Sequence, residues 1–146
     1  MGEFNINQLI RAGGIGGNAV TASITFSNTA ASSPALFTVT GDVIARIIAV
    51  CTTSLTSAAA ANVEVGISGS TGTIIATTAA TAIDAREIWH DASPDSEIEA
   101  ISTMRDYIIT DGNDILCTLS AQVDTGAITF YCIWTGLSSD GNIVAA

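Results

Sequence analysis

Apolar and polar residues alternate along most of this chain with a period of two. Val20, Ala22, Ile24 and Phe26 interleave with Thr21, Ser23, Thr25 and Ser27. Such a pattern puts hydrocarbon on one face of an extended strand and hydroxyls on the other. A break at Ser33-Pro34 precedes a second run, Ala35 to Thr40, and Gly41-Asp42 turns the chain into Val43 to Leu55, which is apolar on both faces. Asn62 to Ser68 and Thr73 to Thr78 flank Gly69-Ser70-Thr71-Gly72 and read as a hairpin. Short runs follow at Glu87 to His90, Ile98 to Ser102 and Met104 to Thr110, and Asp111-Gly112-Asn113-Asp114 reads as a second hairpin turn.

The end of the chain allows a register to be proposed. Ile115, Cys117, Leu119, Ala121 and Val123 share one strand face, as do Ile128, Phe130, Cys132 and Trp134. Placing both sets on the same side of one sheet pairs Val123 with Ile128 and Leu119 with Cys132, and so predicts a turn around Thr125-Gly126. The other face of the outgoing strand carries Tyr131 and Ile133, more apolar surface than a solvated sheet face needs, so a cover for it is expected. With about nine short strands, regular turn signals and no amphipathic helix, the expectation is an all-β fold: an antiparallel β-sandwich, with the jelly roll as one form. Residues 1–18 read as an extended N-terminal arm, because the glycine cluster from Gly13 to Gly17 cannot continue a helix, and residues 19–146 read as a single β-sandwich domain.

Composition narrows the functional classes. The 146 residues are 48% hydrophobic and only 12% charged, which suits a folded domain rather than a disordered chain. Fourteen acids face four arginines and no lysine, for a net charge of −10, so the chain repels phosphate backbones and nucleic acid is not an expected partner. The longest strongly apolar run, Val43 to Cys51, contains Arg46 and is far shorter than the roughly 20 residues of a membrane-spanning helix. No targeting signal is read at the start. Cys51, Cys117 and Cys132 cannot all pair within one chain and lack metal or redox spacing, which suits a reducing compartment. Without lysine to guard sheet edges, self-association is expected.

Candidate chemistry is sparse. The single histidine, His90, adjoins Asp91, but neighbours on a strand point to opposite faces, so the pair is no triad and a structural histidine beside Trp89 is the expectation. The cysteines fall within apolar strand patterns and read as buried hydrophobes. Seven acids lie between Asp84 and Asp106, and Asp91, Asp95 and Glu97 are the set to weigh as calcium ligands. Their order matches no EF-hand, and a solvated acidic loop is the favoured reading. Gly14-Ile15-Gly16 lacks the strand and third glycine of a dinucleotide site. No residue set is therefore assigned to a catalytic, cofactor or metal site. Arg46, inside an apolar strand, either snorkels to the sheet edge, pairs with a carboxylate of its own chain, or forms a salt bridge to a neighbouring subunit. Phe4, Ile6, Leu9 and Ile10 read as an apolar hook for an adjacent chain. Together with Arg46, Tyr131 and Ile133 they form the expected subunit or capsid interface.

Four segments carry a family resemblance: Phe4 to Gly14, Leu36 to Val43, Glu87 to Ser96 and Ile133 to Asn142. They resemble small structural proteins of tailed bacteriophages, and within that group the head decoration, or cement, proteins. The resemblance implies no catalytic residues and no cofactor. It implies synthesis in the host cytoplasm and residence on the capsid surface of the virion, bound to the major capsid protein and to copies of itself, as a trimer at local threefold positions. Two other readings stand beside it: another virion component, such as a tail tube, connector or head fibre, and a carbohydrate- or cell-surface-binding β-sandwich.

Overall fold

The alternation folds into eleven strands among residues 17–146, which the computed structural model describes. Phe4, Ile6, Leu9 and Ile10 lie outside the described residues. In chain order the strands are β1 (Asn18–Thr29), β2 (Ala35–Thr40), β3 (Val43–Thr56), β4 (Asn62–Ile67), β5 (Ser70–Ala79), β6 (Glu87–Trp89), β7 (Asp95–Ser96), β8 (Tyr107–Ile109), β9 (Ile115–Leu119), β10 (Val123–Gly136) and β11 (Asn142–Ala145). Two 3₁₀ turns, Ala80–Ala82 and Ile101–Thr103, complete the regular structure.

Two antiparallel sheets result. One runs β1-β10-β3-β6-β7, with β8 also on β3, and the other runs β11-β2-β9-β4-β5. From β1 to β4 the chain changes sheet at every step, and β8 to β11 repeat that alternation, which is the wrapping of a jelly roll. The predicted all-β sandwich is therefore what forms. Its core lies between the inward faces, where Val43, Ala45, Ile47, Ala49 and Cys51 of β3 meet Val63, Val65, Ile75, Ile115 and Cys117 of the opposite sheet. Trp89 and Phe130 sit at the centre, fully buried and edge to face with ring centroids 6.3 Å apart. The Trp89 indole donates to Thr78 Oγ1 at 2.9 Å, so the one polar atom of the ring is satisfied where water cannot reach.

Two turns differ from the sequence expectation for one physical reason. Val123 does not pair with Ile128, nor Leu119 with Cys132. Instead β9 joins β2 and β4 in one sheet while β10 joins β1 and β3 in the other. An apolar face can meet its partner beside it in one sheet or across the core from the other, and the sequence pattern is the same in both cases. Ser120, Ala121 and Gln122 make the crossing, three residues that extend roughly 10 Å, the distance between packed sheets. Thr125-Gly126 consequently lies inside β10, where the register against β3 shifts and Gly126 takes φ +129°. A Cβ there would sit 2.8 Å from Leu55 Cδ1 and 2.9 Å from Leu55 Cα, so this strand position requires glycine.

The second difference is Asp111-Gly112-Asn113-Asp114, which carries the chain from β8 in one sheet to β9 in the other rather than closing a hairpin. Its carboxylates explain its polarity. Asp111 Oδ1 accepts the Gly41 N–H at 2.8 Å and Asp114 Oδ1 accepts the Val39 N–H at 3.0 Å. The β4–β5 hairpin does form, with Ile67 opposite Ser70 and Gly69 at φ +83° in a shorter turn than expected.

Candidate functional site

The outward face of the six-stranded sheet is built from the alternate residues of β3 and β10 that the core leaves over. Register places Ile44 beside Thr135 and Ile108, Arg46 beside Ile133, Ile48 beside Tyr131, and Val50 beside Thr129 and Ile88. The result is a continuous apolar area with Arg46 inside it. Tyr131 is 42% exposed and Ile108 70%, while Ile44, Ile48, Val50 and Ile133 are half-buried by their neighbours. Toward β1 the same face turns polar, with Thr21, Ser23 and Thr25, and Ser23 shares a hydroxyl contact with Thr129. Arg46 Nε donates to Asp106 Oδ1 at 2.7 Å, so its carboxylate lies within its own chain, on the loop just before β8. Sequence reasoning missed Asp106, because sixty residues separate the pair and only the β3–β8 register closes that distance.

A second group of residues forms where the sheet edge is interrupted. Strand β6 covers Ala49 and Val50 of β3, and β8 covers Val43 to Ala45, leaving the edge of β3 between them bridged by the loop from His90 to Asp106. Below that loop lies a cavity of about 430 Å³ whose wall includes Ile47, Ile74, His90, Asp91, Arg105 and Tyr107. The Tyr107 hydroxyl donates to the Ile74 carbonyl at 3.2 Å and ties the two sheets together beside it.

His90 follows directly on β6 and is buried, with Nε2 2.5 Å from Glu99 Oε1. Glu99 Oε1 also accepts from the Thr103 hydroxyl at 2.8 Å, while Glu99 Oε2 is buried without a hydrogen-bond partner. Strand β7 folds back on β6, pairing Asp95 with Ile88, and so brings the Asp95 carboxyl to the same place. Donor atoms of His90, Asp95 and Glu99 all lie within 4.8 Å of one another. Burial and then the adjacent charge of Glu99 raise the Asp95 carboxyl above its ordinary range. Burial acts to raise Glu99 as well, but hydrogen bonds from His90 and Thr103 outweigh it and hold that carboxyl below its ordinary range.

The acids singled out from sequence are thus divided. Asp95 joins the histidine, Glu97 turns to Arg86 at 2.9 Å, and Asp91 stays 4.0 Å from His90 while accepting the Ser93 N–H. Sequence reasoning counted Glu99 as the end of the acidic loop without naming it a ligand, and the chain's one histidine lies within that acidic stretch. The cysteines are buried and free, and burial pushes the Cys51 thiol up to about 11 and those of Cys117 and Cys132 up to about 12. No helix among the described residues is long and apolar enough to cross a membrane.

Neither a family model nor a curated protein matches the sequence. Among solved structures, the chain is similar to one from the acidic stable capsid structure of the Helicobacter pylori bacteriophage KHP30, at a TM-score of 0.47 and 10% sequence identity, covering 88% of this chain and 91% of that one.

Proposed function

We propose that this chain is a non-enzymatic structural protein of a phage virion, which binds the outside of the assembled capsid together with copies of itself and stabilises it. The observation that carries this reading is the outward face of the six-stranded sheet. A sheet face turned to water is ordinarily polar. Here its centre holds Ile44, Ile48, Val50, Tyr131 and Ile133 around one arginine, with hydroxyl side chains toward β1. An apolar centre containing an aromatic and an arginine, with a polar rim, is the composition of a protein contact surface. The sequence resemblance to decoration proteins supplies the partner. A protein that binds the closed shell but not its dissociated subunits stabilises the shell by mass action. The hook formed by Phe4, Ile6, Leu9 and Ile10 adds apolar contacts at the joints between neighbours, and the net charge of −10 keeps decorated particles apart.

The test is the number of copies per purified particle relative to the major shell protein. A ratio near one to one is expected, and Ile133→Asp is expected to lower that ratio sharply while the protein stays folded. A handful of copies per particle would overturn the decoration reading in favour of a connector or fibre. Absence from particles would overturn the virion reading altogether.

A further inference from the structure

We propose that His90, Asp95 and Glu99 bind a single divalent transition-metal cation of the zinc class, which fastens the loop between β6 and β8. The inference does not depend on the virion reading. Two observations carry it. The first is geometric: one imidazole nitrogen and two carboxylates present donor atoms within 4.8 Å of one another, although the chain has a single histidine to place anywhere. The second is independent of that grouping. Glu99 has a side chain only 11% exposed, and its oxygens are used unequally. Oε1 takes both the His90 and the Thr103 contacts, while Oε2 is sealed from solvent with nothing to accept from. A buried carboxylate oxygen without a partner is costly, and a cation at this point removes the cost.

The surroundings fit the same ligand. Asp95 and Glu99 hold two carboxylates within 4.8 Å of each other, like charges that a shared cation would neutralise. The loop gains little from the hydrophobic core, since Ile98 and Ile101 are 85% and 66% exposed. A staple in the loop is therefore worth more there than in a strand. Of the three ligands, His90 also lines the neighbouring cavity, the side from which a cation would approach.

Ligand chemistry selects the metal. Calcium and magnesium favour all-oxygen sites, whereas one imidazole with two carboxylates suits zinc. Tetrahedral ligands at about 2.1 Å stand roughly 3.4 Å apart. The direct 2.5 Å contact between His90 Nε2 and Glu99 Oε1 is therefore given up when the imidazole nitrogen turns its lone pair to the metal beside Glu99 Oε2, while Oε1 keeps Thr103.

The untagged chain, stripped with EDTA, is titrated with zinc chloride in a calorimeter and melted with and without zinc. One saturable equivalent, a raised Tm and a shift of the single imidazole's NMR signals are expected. Affinity should fall at least about tenfold in Glu99→Gln and in His90→Ala, and should stay unchanged in the distant variant Asp84→Asn. Glu99→Gln keeps shape and volume, so the test survives if His90→Ala fails to fold. Absence of a saturable site, equal affinity in Glu99→Gln and the parent, or displacement of zinc by equimolar calcium would each overturn the proposal.

Discussion

Replacing Gly126 by alanine tests the path of β10. The backbone at this position has φ +129°, where an L-residue is strained by about 1–3 kcal/mol. The new methyl would also lie 2.8–2.9 Å from Leu55 Cδ1, Cγ and Cα. The Cα cannot move without displacing β3, so overpacking adds about 1–3 kcal/mol. Gly126→Ala should therefore lose about 2–6 kcal/mol in all, a large part of the stability of a domain this size. Urea unfolding followed by the fluorescence of the buried Trp89 and Trp134 at fixed protein concentration measures the loss. A double-mutant cycle with Leu55→Ala refines the test, because truncating Leu55 removes two of the three close contacts but not the third. The two losses should be less than additive by about 1 kcal/mol or more. Were Gly126→Ala to cost under about 0.5 kcal/mol and to add independently to Leu55→Ala, residue 126 would lie in an open turn and the strand assignment would be wrong.

Other expectations follow from burial and charge. At pH 8 none of the three thiols should react with a thiol reagent in the native protein, and all three should react after unfolding, since burial holds them near 11 to 12. The folded pKa values lie above the unfolded value of about 9, so this contribution is complete below pH 9 and is lost progressively as pH rises toward 12, which alkaline unfolding curves measure. Asp111→Ala and Asp114→Ala should each cost about 1–3 kcal/mol in urea titrations by leaving the Gly41 or Val39 N–H without its acceptor. Asp106→Asn, which weakens the partly exposed pair with Arg46, should cost no more than about 1 kcal/mol, and a larger loss would mean that Arg46 is held by its carboxylate alone.

Strand identity was legible in the alternation, because burial has the same period as the pleat. The predicted faces of β1 and β10 are those the fold uses, with Phe26 and Phe130 inward. Sheet membership was not legible. Leu119 and Cys132 both face the core, and nothing in their spacing tells whether they do so side by side or from opposite sheets. The candidate sites divide in the same way. Tyr131 and Ile133 stood out because an outward apolar position breaks a local pattern. The grouping of His90, Asp95 and Glu99 rests on three-residue β6 returning against two-residue β7, elements too short for any periodic signal.

The central position of β10 also sets the order in which the molecule can be made. It joins β1 to β3, with Ala19 opposite Ile133 and Ile47 opposite Cys132, yet it is made long after β1. Roughly 90 residues separate the end of β1 from the start of β10. At ribosomal speeds β1 therefore waits about 5–20 s for its neighbour. During that interval the apolar edge of β3 is unpaired on the side that β10 will later fill. Folding, being dominated by pairings distant in sequence, falls in the millisecond-to-second range rather than the microseconds of helical bundles. Newly made chains thus pass through a stage in which exposed edges favour aggregation, and a high rate of synthesis would make a chaperone or early pairing between copies an advantage.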